Sequence, residues 1–196
     1  MITVSGVGPG NIKYLTQEVK ERIQNAERII AFKRIAQDVV EIRKDVIEIS
    51  KVSELIPLIT SDTAILASGD SLFFGVTDYL MRSGVDIEEV HPGITSYQYM
   101  MSKLKMPYNN ANIFSMHGRD GDLTSVKNHP LSIILTDAEN TPDTISKDLF
   151  EMNVLGSIIA GYNLSYEDEM IIEKKIGESF NQSSILAVVV IKNEMV

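Results

Sequence analysis

The sequence predicts an α/β fold made of two α/β domains, and three observations carry that reading. Short apolar, β-branched runs alternate with amphipathic stretches over the first three quarters of the chain, the pattern of strands crossing to helices and back. After Gly156 the helix signals weaken, and apolar runs around Ile158, Ile171 and Val188 read as strands following one another. The charge is also uneven. Of 18 basic and 27 acidic side chains, residues 1–110 hold 12 against 14, net −2, and residues 111–196 hold 6 against 13, net −7. The polar stretch Met106–Asn112 coincides with that shift, so the domains are read as 1–108 and 109–196, each of ordinary size.

The elements follow in order. Strands are expected at Ile2–Val7, Glu27–Phe32, Val46–Ile49, Thr63–Ser68, Asp86–Val90, Asn112–Ser115, Leu131–Thr136, Gly156–Tyr162 and Ile185–Lys192. Thr16 is placed to cap a helix in which Val19, Ile23 and Ala26 share one face. Phe73–Met81 and Thr95–Leu104 have the same periodicity. Thr141, Pro142 and Asp143 combine an N-cap, a proline in the first turn and an acid near the helix N-terminus. The alternation predicts an α/β fold with a largely parallel sheet.

Composition removes several function classes. There is no cysteine, which excludes disulfides, thiolate catalysis and the common structural zinc sites. A net charge of −9 argues against a nucleic-acid partner, since phosphate neutralisation needs clustered cations. No apolar run approaches the roughly 18 residues of a membrane span, and MITVSGVGPG has no signal-peptide pattern, so a cytoplasmic protein is expected. No Gly-Lys pair forms a Walker A loop, no G-x-S-x-G elbow occurs, and His91, His117 and His129 lack metal-ligand spacing, so no metal site is expected.

Three loops could carry chemistry. Gly6-Val7-Gly8-Pro9-Gly10 follows the first strand, where glycines let a ligand approach the backbone. It is not a dinucleotide fingerprint. The third glycine would fall at Asn11, and the second strand leads into Lys33 and Arg34 instead of an acid. Ser68-Gly69-Asp70-Ser71-Leu72-Phe73-Phe74-Gly75 ends the strand Thr63–Ser68, and Pro92-Gly93-Ile94-Thr95-Ser96 opens a helix. Ligands of open α/β sheets bind at such carboxyl ends. A structural turn and a ligand loop are both open for the first two, and helix capping is the simple role of Thr95 and Ser96. His117-Gly118-Arg119 closes the strand after the domain seam, and the acidic run Glu167–Glu169 reads as a solvated turn.

Together these loops resemble the tetrapyrrole methylase family along essentially the whole chain. GVGPG with Leu15-Thr16, SGDSLFFG and PGITS mark the family. HPGITS, Ser115–Arg119, Leu135-Thr136-Asp137 with Asn140-Thr141-Pro142, and Tyr162–Glu169 point to its branch that methylates C5 of a precorrin in cobalamin formation. One departure is Gly69-Asp70-Ser71, where the family has Gly-Asp-Pro. Losing the proline frees φ and restores an N–H.

The resemblance implies a class III methyltransferase fold, S-adenosylmethionine as cosubstrate in a cleft between the domains, a small corrinoid substrate and a homodimer. It places the cofactor against Pro9, Gly69, Asp70, Leu72, Phe73, Thr95 and Ser96 of the first domain, and Met116, Leu135, Thr136, Asn163 and Leu164 of the second. Asp70, His117 and Arg119 are the catalytic candidates, Asp70 for cofactor orientation and the other two for substrate contact. Lys33, Arg34, Lys103, Lys105 and Arg119 are expected to form a basic rim for an anionic macrocycle. Other readings are a diphthine-synthase-like or ribosomal-RNA ribose methylase, or a non-catalytic corrin-binding subunit. A separate C15-methyltransferase/decarboxylase subunit is one partner this resemblance allows, and the chain, ending at Val196 shortly after its last expected strand, is expected to lack decarboxylase activity itself.

Overall fold

Valine- and isoleucine-rich runs too short for helices pair into two five-stranded sheets in the structure, a computed structural model that describes residues 1–118, 121–182 and 187–195. The chain divides into two compact units, Met1–Ser96 and Tyr97–Val196.

The first sheet holds β1 (Ile2–Gly6), β2 (Arg28–Phe32), β3 (Ile47–Ile49), β4 (Thr63–Ala67) and β5 (Glu89–His91) in the order β3-β2-β4-β1-β5, every pair parallel. Helix α1 (Gln17–Asn25) is capped by the Thr16 hydroxyl, which accepts from the Val19 N–H at 3.2 Å. Its Val19 and Ile23 bury with Ile29, Ala31, Ala64 and Leu66 on one face of the sheet, joined by Ile35 and Ala36 of the short helix α2 (Lys33–Asp38). Val4, Ile30 and Ile65 face the other way and bury with Leu55 and with Leu80 of α3 (Thr77–Arg82). The helices after β1 and after β4, neighbouring strands, thus lie on opposite faces, which opens a crevice at their carboxyl ends.

In the second unit β6 (Asn112–Ser115), β7 (Leu131–Leu135), β8 (Gly156–Tyr162), β9 (Met170–Lys175) and β10 (Ala187–Asn193) take the order β6-β7-β10-β8-β9. Only β6 and β7 pair in parallel, and the pairs β7–β10, β10–β8 and β8–β9 are antiparallel. Ile134, Ile158, Ala160, Val189 and Ile191 bury one face against Ile145 and Leu149 of α5 (Pro142–Glu151). Thr141 caps α5 through the Thr144 N–H at 3.2 Å. Helix α4 (Ser96–Leu104) lies near the opposite face: a Cβ built on Gly161 of β8 would sit 3.0 Å from the Met100 sulfur. That packing joins the body of α4 to the second sheet, so the division falls at Ser96/Tyr97, ahead of the Met106–Asn112 stretch.

One helix starts later than expected. The helix expected from Phe73 begins only at Thr77, because Phe74 adopts φ of +55°, which breaks the helical path. The last strand was expected from Ile185, which lies outside the described residues, and its described part starts at Ala187. Helices α3, α4 and α5 end alike. Gly84, Lys105 and Asn153 adopt left-handed φ, and the next N–H reaches back to the carbonyls of Leu80, Met101 and Leu149.

Candidate functional site

The first unit gathers its candidate residues at the carboxyl edge of its sheet, by backbone packing. Past β1 the Val7 N–H donates to the Ala67 carbonyl at 2.8 Å, and Gly8 and Gly69 exchange two backbone hydrogen bonds of 3.2 and 2.8 Å. Gly6, Gly69 and Gly93, one from each loop, meet at one point. A Cβ on Gly6 would lie 2.5 Å from the Gly69 oxygen, and one on Gly93 would lie 2.1 Å from that oxygen and 2.6 Å from the Gly6 carbonyl carbon. Only residues without side chains permit such a junction. Gly69 itself adopts φ of +63°, and a Cβ built on it would lie 3.5 Å from the Thr95 Cα.

The side chains around the junction have defined roles. The Asp70 carboxylate accepts from the Leu72 N–H at 2.8 Å, which closes the turn and leaves Leu72 two-thirds exposed. Thr77 donates its hydroxyl proton to the Ser71 carbonyl at 2.9 Å, and the Ser71 side chain, wholly buried, has no hydrogen-bond partner among the described residues. Pro9 and Thr95 are buried, and Ser96 opens α4. Arg34 donates to the Ser68 hydroxyl at 3.0 Å and pairs with Asp38 at 3.7 Å, a cation held beside the β4 loop. Just beneath, His91 is buried with Nδ1 2.9 Å from the Ser5 hydroxyl and Nε2 3.3 Å from Glu89.

The second unit organises its strand ends with carboxylates. The Met116 N–H continues the β6–β7 ladder to the Leu135 carbonyl at 2.9 Å. Asp137 accepts from the N–H groups of Asn140 at 2.7 Å, Gly118 at 2.8 Å and Glu139 at 3.0 Å. These bonds, that of Asn140 first, pull its pKa down to about 2. The Asn140 amide bonds the Met116 carbonyl at 3.0 Å, so two loops become one body. His117 is exposed, with Nδ1 3.1 Å from the Thr136 carbonyl, and the Thr136 hydroxyl donates to Ala187 at 2.7 Å.

Asn163 and Leu164 lie past β8, on the same edge of the sheet. β7 and β8 both run antiparallel to β10, and Leu135 and Tyr162 pair with its first two residues. Asn163 and Ser165 take left-handed φ of +46° and +74°. The Asn163 amide bonds Asp168 at 2.6 Å, and the Ser165 N–H donates to Glu169 at 2.7 Å. Glu169 also pairs with Lys103 of α4 at 3.1 Å. Burial pushes the Glu169 pKa up, but hydrogen bonds from Tyr99, the Ser165 N–H and Lys103 outweigh it and leave the pKa lowered.

Each unit therefore brings its own share of the candidates to one sheet edge. Arg119 lies outside the described residues. Residue patterns did not single out Asp137, Glu169 or His91 as organisers. The T-D-x-x-N spacing of an Asx turn was the one available signal for Asp137.

A doubly wound parallel sheet with a glycine junction at its crevice, joined to a mixed sheet, defines a ligand-binding α/β protein of the type that takes up small molecules at strand ends. The profile of the tetrapyrrole (corrin/porphyrin) methylases matches residues 1–179, and the chain belongs to that family. A Methanocaldococcus jannaschii protein named probable cobalt-precorrin-7 C(5)-methyltransferase is 29% identical over 92% of both chains. The cobalt-precorrin-7 C(5)-methyltransferase of Salmonella typhimurium is 27% identical over 87% of this chain and 89% of its own. Among solved structures, the precorrin-6Y methylase of Archaeoglobus fulgidus superposes with a TM-score of 0.77 at 22% identity, covering 99% of this chain and 98% of that one. The Thermus thermophilus uroporphyrin-III C-methyltransferase complexed with S-adenyl homocysteine does so with 0.79 at 19%, covering 97% and 91%.

Proposed function

We propose that the protein transfers a methyl group from S-adenosylmethionine to C5 of a precorrin, cobalt-bearing or not, in cobalamin biosynthesis. The observation that carries the reading is the Gly6–Gly69–Gly93 junction at the crevice of the parallel sheet, in a chain whose named relatives over most of its length are C(5)-methyltransferases. Such a junction suits an amphipathic adenosyl ligand. Backbone comes close where side chains are missing, Leu72 offers an exposed apolar surface, and Asp70 adds an anionic acceptor beside it. In this reading Pro9, Gly69, Asp70, Leu72, Phe73, Thr95 and Ser96 contact the cofactor, and Met116, Leu135, Thr136, Asn163 and Leu164 complete its surroundings.

The bound cofactor supplies an electrophilic methyl on a sulfonium centre, so the chain has to place the reactants and support charge. Rigid loops serve that purpose: well-oriented reactants gain on the order of 7–11 kcal/mol over a free encounter. The glycine junction holds one group of loops, and Asp137 and Glu169 hold the other. Arg34, fixed beside the β4 loop, is the member of the expected basic rim best placed to receive a substrate carboxylate. Lys103 is already paired with Glu169, and Lys105 closes α4 in a left-handed turn, so both have structural duties. A cavity of about 480 Å³ in the second unit includes Met116 but is walled by Asp148 and Glu151, the wrong sign for an anionic macrocycle.

Titration calorimetry with S-adenosylhomocysteine, NAD and ATP tests the cofactor class. Saturable binding of the first alone is expected, and binding of NAD or ATP instead would overturn the reading. Incubation with a cobalt-corrin intermediate and methyl-labelled cofactor should then put label at C5, whereas binding without transfer would mark a non-catalytic corrin-binding subunit. A cytoplasmic homodimer, with a separate C15-methylating decarboxylase as partner, completes the proposal, and light scattering of the purified chain tests the dimer.

A further inference from the structure

We propose that His117 is the general base that takes the proton displaced from the macrocycle. This rests on the C5-methylation reading. The evidence is the way its ring is held. The Thr136 carbonyl can only accept, so the 3.1 Å contact requires the proton to sit on Nδ1. In the neutral ring Nε2 then carries the lone pair. The residue is exposed, and among the described residues Nε2 has no hydrogen-bond partner. The main chain beneath the ring is also anchored, because the His117 backbone N–H donates to the Ser115 hydroxyl at 3.1 Å. A neutral imidazole with one nitrogen tied to a backbone carbonyl and the other open is the arrangement a general base needs.

Its position singles it out from the other basic groups. His117 follows Met116 and bonds Thr136, so it lies among the second unit's proposed cofactor contacts at the carboxyl ends of β6 and β7. His129 bonds the Ser125 carbonyl at the opposite, amino end of β7. His91 is buried with both ring nitrogens engaged. Asp137 is nearby but saturated by backbone donors and pulled down to about 2, which makes it a poor proton acceptor.

The step balances. An electron pair of the ring carbon forms the new carbon–methyl bond, and the sulfur–methyl pair stays on sulfur as the thioether. The substituted macrocycle then gives up one proton to Nε2, leaving an imidazolium that the Thr136 carbonyl still accepts from.

Two variants separate this role from a structural one. In His117→Asn the side-chain amide can still donate to Thr136 but offers no base. Single-turnover methyl transfer is expected to fall about 10²–10⁴-fold while S-adenosylhomocysteine binding and Tm stay as in the wild type. In His117→Ala the same loss should be recovered in proportion to added imidazole. Transfer by His117→Asn within threefold of wild type, or a loss in His117→Ala that imidazole does not restore, would overturn the proposal. A wild-type protein that binds S-adenosylhomocysteine but methylates no precorrin would instead sink the C5 reading, and this proposal with it.

Discussion

The two units hold their strand-end loops by opposite means. In the first, Gly6, Gly69 and Gly93 bring three backbones together with no side chain between them, and no charge takes part in the junction. In the second, Asp137 gathers three N–H groups, and Glu169 joins the β8 loop to α4 through Ser165 and Lys103. The difference follows from topology. Parallel neighbours send their loops out at the same edge, where the chains crowd. Strands paired mainly antiparallel bring fewer loops to one edge and leave room for side chains between them. A junction of backbone atoms is intolerant of added volume and indifferent to pH, whereas a carboxylate junction tolerates volume and depends on its charge.

Five substitutions would break or sharpen that contrast. The largest effect is expected of Gly93→Ala, since its methyl would fall 2.1 Å from the Gly69 oxygen and 2.6 Å from Gly6, both backbone atoms. A loss above ~3 kcal/mol is expected by thermal unfolding, with S-adenosylhomocysteine binding abolished. Unchanged stability would show that the loops can part freely. Asp137→Asn comes next. Because the folded-state pKa of Asp137 is lowered to about 2, its contribution is complete above the unfolded carboxylate pKa and is lost as pH falls from about 4 towards 2. The variant should therefore be less stable than wild type at pH 7 and converge with it near pH 2 when Tm is followed across that range. A gap that did not narrow would assign the effect to geometry instead of charge.

Glu169→Gln should have a smaller effect of the same sign, since its pKa is also lowered. Weaker S-adenosylhomocysteine binding by a fewfold at pH 7, with Tm nearly retained, is expected from calorimetry, because the loop carrying Asn163 and Leu164 loses its charged anchor. The smallest effect compares the units directly. Ser71 and Ser132 are both wholly buried with hydroxyls that have no partner among the described residues, one in each unit. Ser71→Ala and Ser132→Ala should each raise stability by up to about 1 kcal/mol in denaturant titrations. A loss at Ser71 alone would show that its hydroxyl has a task in the loop where the family has proline.

Much of this was readable from residues. The glycine loops announced themselves because a backbone junction can be built from one residue type only. Thr16 and Thr141 announced their helices through local capping chemistry. The late start of α3 was hidden, because the Phe73–Met81 periodicity is sound and the left-handed backbone at Phe74 overrides it. Asp137 and Glu169 were hidden too. Nothing in their neighbours tells that N–H groups from Gly118, about twenty residues earlier in the chain, or a lysine on α4 will converge on them.

The sequence by itself determined the fold class, the order of strands and helices apart from the short α2, and the loops that meet at the crevice, because local propensity and glycine geometry act over a few residues. Tertiary structure alone decided strand direction in the second sheet, the membership of α4, and which nitrogen of His117 is left open. Those depend on pairings between segments far apart in the chain, and no local pattern specifies such a contact.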